Sequence, residues 1–193
     1  MDFFIINFKL EKKSHYAIYY TNSEDGVMVD NNQITHFISK QKLLAHCKES
    51  GICCSSNSDD LYKCDLDVLG KWLRKGRKRV DCQFVLNAWN TMSDVARSLG
   101  KSFIGDDDDV DAIHFVYKKL FYGNNLPALK MKRKYTPSWN SDEIDTMSFI
   151  LSNGLQIIRE GLSHPSKHRA GLKPIPTYVT TSQRRFGYRN KLA

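Results

Sequence analysis

Residues 81–99 place Phe84, Val85, Ala88, Trp89, Met92, Val95, Ala96 and Leu99 on one face at helical spacing, and Gly100 follows as a stop. An apolar stripe of this length cannot stay in water, so the rest of the chain must supply elements that cover it. Two further helices answer the description. Asp106 to Asp109 begin one that carries Val110, Ile113, Val116, Tyr117, Leu120 and Phe121 inward and stops at Gly123. Asn140 with Glu143 has the form of a capping box and opens another, which runs to about Leu162 with Ile144, Met147, Leu151, Leu155 and Ile158 on its buried side. Two short helices precede them. One runs from Gln41 to Glu49 behind the N-cap Ser39, with Gly51 at its end. The other is capped by Asp67 and turns Val68, Leu69, Trp72 and Leu73 inward.

The N-terminal third has a different grammar. Phe3 to Leu10 and His15 to Tyr20 are rich in β-branched and aromatic residues. Val27 to Val29 and Ile34 to Ile38 follow, separated by polar turns. The reading is α+β: an N-terminal antiparallel β meander packed with a C-terminal helical half. No apolar run approaches the roughly 20 residues that span a bilayer, so no membrane is expected. The opening Phe3-Phe4-Ile5-Ile6 lacks the basic and cleavage segments of a signal peptide, and five cysteines form no even disulfide framework. A cytoplasmic location follows as the expectation.

Charge divides the chain. Seven of its 29 basic residues lie after residue 162 with no acid among them, which leaves 22 basic groups against all 21 acids in the body. Residues 1–162 are therefore read as one domain, and 163–193 as an irregular basic arm punctuated by prolines and Ser/Thr.

Motifs for catalysis are missing. The chain has no G-x-S-x-G elbow. Gly70 and Gly76 are one residue too far apart for a phosphate loop, and Arg77 stands where the lysine belongs. His46, Cys47, Cys53, Cys54 and Cys64 cluster in sequence without the paired spacing that grips zinc, so free thiols are the expectation, with no metal and no cofactor. The acidic run Asp106, Asp107, Asp108, Asp109 and Asp111 exceeds what a helix start requires. It reads as a solvated helix start or as a docking surface for a basic partner. Six cations between Lys71 and Arg79 form a basic turn, and Arg184 to Arg189 interleave arginine with aromatics. Arg74, Lys75, Arg77, Lys78, Arg79, Arg184 and Arg185 are thus candidate contacts to a phosphate backbone.

The stretch Phe84-Val85-Leu86-Asn87-Ala88-Trp89-Asn90, continued by Asp94-Val95-Ala96 and Ser98-Leu99-Gly100, carries a family likeness. So does Tyr117-Lys118-Lys119-Leu120-Phe121-Tyr122-Gly123-Asn124-Asn125-Leu126-Pro127, continued by Tyr135-Thr136-Pro137-Ser138-Trp139. Together they resemble the immunity proteins of bacterial contact-dependent growth-inhibition systems, over residues 80–160. The resemblance implies a cytoplasmic binding protein without catalysis, whose partner is the toxic C-terminal domain of a rival's surface protein. With a nuclease toxin as partner, the five aspartates are the expected contacts. The alternative is a nucleic-acid-binding module that uses the 71–79 turn and the basic tail.

Overall fold

The structure is a computed structural model that describes residues 1–54, 61–75, 79–130 and 133–163. Strands β1 (Asp2–Leu10) and β2 (Lys13–Thr21) form a long antiparallel hairpin. Its turn residues Glu11 and Lys12 both take left-handed backbone angles, φ 53° and 63°. Such a turn matches the twist of the strands, but it favours Asn-Gly over two charged residues. The Asp67 carboxylate supplies the compensation, accepting from the Glu11 and Lys12 N–H groups at 2.7 and 2.8 Å. Asp67 was expected to cap its own helix. That place belongs to Asp65, whose carboxylate accepts from the Val68 N–H at 3.0 Å.

Four two-residue strands follow: β3 (Gly26–Val27), β4 (Val29–Asp30), β5 (Gln33–Ile34) and β6 (His36–Phe37). β3 and β6 pair with β2, and β4 pairs with β5. Helix α1 (Lys40–Glu49) starts at Ser39, whose hydroxyl accepts from the Lys42 N–H, and ends at Gly51 with φ 67°. The expected antiparallel meander is then corrected in one respect. Strand β7 (Leu61–Asp65) pairs parallel with β1, giving the sheet order β3-β2-β1-β7.

Helices α2 (Leu66–Arg74), α3 (Cys82–Ser98), α4 (Asp111–Gly123) and α5 (Ser141–Gly161) complete the α+β fold. Alternation along the strands splits the core between the two faces of the sheet. Ile5, Ile18, Met28 and Phe37 pack with Leu43 and Cys47 of α1. Ile6, Phe8, Leu10 and Ala17 face α2, α3 and α5. Val68 and Val110, expected inward, are exposed. No helix among the described residues is long and apolar enough to cross a membrane. The expected basic arm, 163–193, lies outside the described residues except for Ser163.

The α3 stripe is real, and the burial goes further than one face. Thr91, Met92, Ser93, Asp94, Val95 and Ala96 are all buried, so α3 is enclosed on every side at mid-length. Each buried polar group there has a partner. Thr91 donates to the Asn87 carbonyl, Ser93 to Asp106 at 3.1 Å, and Asp94 accepts from Tyr19 at 2.6 Å and Arg97 at 2.9 Å. α5 approaches α3 closely because Gly154 has no side chain; a Cβ there would collide with Met92. Trp89, 1% exposed, sets its ring edge-on to Phe103 and Tyr117 and donates to the Gly105 carbonyl at 3.2 Å.

Two truncations test this packing by contrast. Trp89→Ala removes a large, fully enclosed ring and should cost about 3–5 kcal/mol in denaturant unfolding. Phe115→Ala, on an exposed ring of α4, should change stability by no more than about 0.5 kcal/mol. Similar losses for the two variants would contradict the packing described.

Candidate functional site

The aspartate run does not start α4. Ile104–Asp106 is a single 3-10 turn, Asp107 and Val110 are extended, and the helix begins at Asp111 with no side-chain cap on Val110. Local chemistry accounts for the delay: the Asp107 carboxylate accepts from the Asp109 N–H at 3.1 Å, a side-chain turn that competes with the helical bond. The five aspartates therefore divide. Asp106 is half-buried and engaged by Ser93, which makes it part of the packing around α3. Asp107, Asp108, Asp109 and Asp111 face solvent.

Helices α4 and α5 set what lies beside them. The Ile104 N–H donates to Asn153 at 3.1 Å, which places the approach to α4 late on α5. Lys119 near the end of α4 donates to both oxygens of Glu143 near the start of α5, at 2.6 and 2.8 Å. The two helices are thus antiparallel. Phe115 lies one turn before Lys119 and Phe149 a turn and a half after Glu143, so both rings come to the same level along the pair. They are 58% and 64% exposed. Asp111 continues the Phe115 stripe on α4, and Asp142 and Asp145 continue the Phe149 stripe on α5. Each helix thus carries one exposed ring with exposed aspartates on its own stripe.

Lys119 adds little charge beside Phe115. Its ammonium sits 4.9 Å from the Trp139 ring centroid and 5.6 Å from that of Phe115. Burial pushes the Glu143 carboxyl up, but the Lys119 ammonium and the Asn140 N–H outweigh it and hold the carboxyl below its ordinary range. Glu143 also completes the expected capping box with Asn140, so one carboxylate both starts α5 and anchors α4.

Sequence reasoning missed Phe115 and Phe149. The available signal was their phase: each is an aromatic at a position that helical periodicity assigns to solvent.

Four cations of the basic turn, Lys71, Arg74, Lys75 and Arg79, are among the described residues. Arg74 and Lys75 end α2, and Arg79 is exposed just before α3. The Trp72 indole N–H donates to the Arg79 carbonyl at 2.8 Å and fixes the return of the turn. Arg77, Lys78, Arg184 and Arg185 lie outside the described residues.

The cysteine and histidine cluster separates. Cys64 is in the core on the helical side of the sheet, while Cys47 is on the α1 side. Cys47 and Cys54 approach to 3.0 Å between sulfurs. Their contact pushes the Cys47 thiol up and the Cys54 thiol down from the ordinary range. Burial pushes the Cys64 thiol up to about 12. Among the described residues, no group of three or more potential ligands is placed to hold a metal ion.

His15 and His36 meet edge to face at 4.9 Å between ring centroids, and the His36 Nδ1–H donates to the Ile34 carbonyl at 3.0 Å. Burial lowers both pKa values, with Lys13 adding to the effect at His15.

No family model, curated protein or solved structure matches the chain significantly.

The histidine pair makes a pH prediction. A folded-state pKa below the unfolded value near 6.5 means that the unfolded chain binds more protons between the two values. The pair's contribution is complete above about pH 6.5 and is lost as pH falls towards the folded-state values. Melting temperature should therefore drop between pH 7.5 and 5.5, and His15→Gln should narrow that drop. An equal drop in the variant would remove His15 from the account.

Proposed function

We propose that this chain is a cytoplasmic immunity protein of a contact-dependent growth-inhibition system, which binds and neutralises the toxic domain of its cognate surface protein, a nuclease. The observation that carries the reading is a pair of exposed rings, Phe115 on α4 and Phe149 on α5, with exposed aspartates at the starts of the two helices: Asp107, Asp108, Asp109 and Asp111 before and on α4, and Asp142 on α5. Protein interfaces concentrate their energy in a few central, desolvated anchors, and aromatic side chains are favoured there. A pair of exposed phenylalanines on two rigid helices fits that requirement.

The aspartates supply the second requirement. A nuclease has to attract a polyanion and so presents a cationic surface around its active site. Acidic groups at the edge of an inhibitor steer it to that surface, raise the association rate and reject partners of like charge. The helices keep the anchors rigid, so little ordering entropy opposes binding.

If a large surface protein is encoded beside this gene, co-expression with its C-terminal domain should give a complex that survives purification. Phe115→Ala and Phe149→Ala should each cost about 2 kcal/mol of binding, mainly as faster dissociation. Converting Asp107, Asp108, Asp109 and Asp111 to Asn should slow association and flatten its salt dependence. Full affinity in all these variants would rule out these residues as contacts, and absence of any complex would rule out the immunity reading.

A further inference from the structure

After α1 the chain doubles back on itself. Gly51 takes a φ of 67°, and the Ile52 N–H donates to the Cys47 carbonyl at 2.8 Å. Cys54 then forms a parallel bridge with Phe3 of β1. This return sets the Cys54 sulfur 3.0 Å from that of Cys47, which lies in the last turn of α1. The sulfurs need to close by only about 1 Å to reach the length of a disulfide bond.

The pair belongs to the apolar layer between α1 and the sheet. Cys47 is 3% exposed and packs with Ile5, Ile18, Met28, Phe37 and Leu43. Cys54 packs against the same cluster but is only half-buried. One thiol is therefore shielded from water, and the other is within reach of a small solute. Cys47 also lies at the carbonyl end of its helix, where the dipole disfavours a negative sulfur. The thiolate is the reactive form of a cysteine, so Cys54 is the thiol placed to react first. The shifts of the two thiols, Cys47 up and Cys54 down, agree with that order. Cys64 and Cys82 are buried on the helical side of the sheet, and burial pushes both of their thiols up.

We propose that Cys54 and Cys47 are a reversible redox pair, in which a peroxide oxidises Cys54 and Cys47 then closes a disulfide with it. The Cys54 thiolate attacks one peroxide oxygen and the O–O bond breaks. Cys54 becomes a sulfenic acid, and the departing hydroxide takes up the proton that Cys54 released. The Cys47 sulfur then attacks the Cys54 sulfur and the S–O bond breaks. The sulfenic oxygen leaves as water with the Cys47 proton. The two thiols lose two electrons, and the peroxide gains them as it becomes water. A dithiol reductant reopens the bridge by exchange, so a reducing compartment keeps the pair as thiols. Once closed, the bridge ties the end of α1 to the edge of β1 at Phe3. This inference does not rest on the toxin-binding reading, whose residues lie on and around α4 and α5.

The test uses the full chain, reduced with dithiothreitol, freed of reductant and exposed to hydrogen peroxide. Remaining thiols are alkylated in denaturant and the tryptic peptides weighed. A bridge should join peptide 43–48 to peptide 49–63 with the loss of two hydrogens. It should form about tenfold or more faster than Cys64 or Cys82 is modified. Dithiothreitol should restore both thiols. Cys53→Ser, at an exposed position, should form the same bridge at the parent's rate, which assigns the partner to Cys54 even if other variants fold poorly. Cys54→Ser should leave Cys47 reduced, and Cys47→Ser should stop at a sulfenic acid on Cys54 that dimedone captures. Loss of the bridge in folded Cys53→Ser, or its persistence in Cys54→Ser, would overturn the pair. So would parent protein that keeps Cys47 and Cys54 reduced while Cys64 or Cys82 oxidises. Oxidation that dithiothreitol cannot reverse would overturn reversibility.

Discussion

The middle of α3 is buried on all sides, and the rest of the structure is arranged to make that tolerable. A surface helix needs one apolar face, but Thr91 to Ala96 has no exposed face at all. Its polar side chains must find partners or carry a desolvation penalty of about 1–3 kcal/mol each. The heaviest demand comes from Asp94, which is 2% exposed. Tyr19 from the sheet and Arg97 one turn on satisfy it, and the same Arg97 donates to the Asp25 carbonyl at 2.8 Å. Ser98 accepts from the Val27 N–H at 3.0 Å and fastens the short strand β3 as well. The sheet is thus attached to the helical half through polar bonds around one helix, in addition to apolar contact. Removing one partner from such a cluster leaves a charge buried without compensation, which is far more damaging than losing a surface pair.

Because the middle of α3 is consumed by the core, Thr91 to Ala96 offer nothing to a partner. Outward chemistry falls to the layer around it. The N-terminal end of α4 carries the exposed aspartates, and its C-terminal end lines a solvent-open hollow whose wall includes Lys130, Arg133 and Lys134. The Glu143–Lys119 pair holds α4 against α5 between them, at 9% and 14% side-chain exposure. A rigid rod with acid at one end and base at the other separates the two surfaces and keeps them from neutralising each other, since the spacing exceeds the screening length of about 8 Å at physiological salt.

Much of this was legible in the sequence, and what was missed has physical reasons. The helix over 81–99, the capping box at Asn140 and Glu143, and the stops at Gly51 and Gly100 are local signals, and the structure bears them out. Strand β7 was not legible. It has five residues with Lys63 and Asp65 among them, and its parallel partner β1 lies some fifty residues away, so no local pattern marks it. The start of α4 was misplaced because aspartates suit both a helix start and a side-chain turn, and tertiary packing of Asp106 on Ser93 favours the turn. The aspartates of the candidate site were visible as a run. The exposed phenylalanines were not, because each is a single residue out of phase with the apolar stripe of its helix.

Native-state hydrogen exchange tests the central claim most directly. If α3 unites the sheet with the helices, the amides of Thr91 to Ala96, of the middle of β1 and of the buried turns of α5 should share one opening free energy, equal to that of global unfolding within about 1 kcal/mol. Exposed segments such as Asp107 to Val110 should exchange at once. Exchange of the α5 amides at a free energy well below that of β1, through an opening that leaves the sheet intact, would contradict the account and divide the molecule into two independent units.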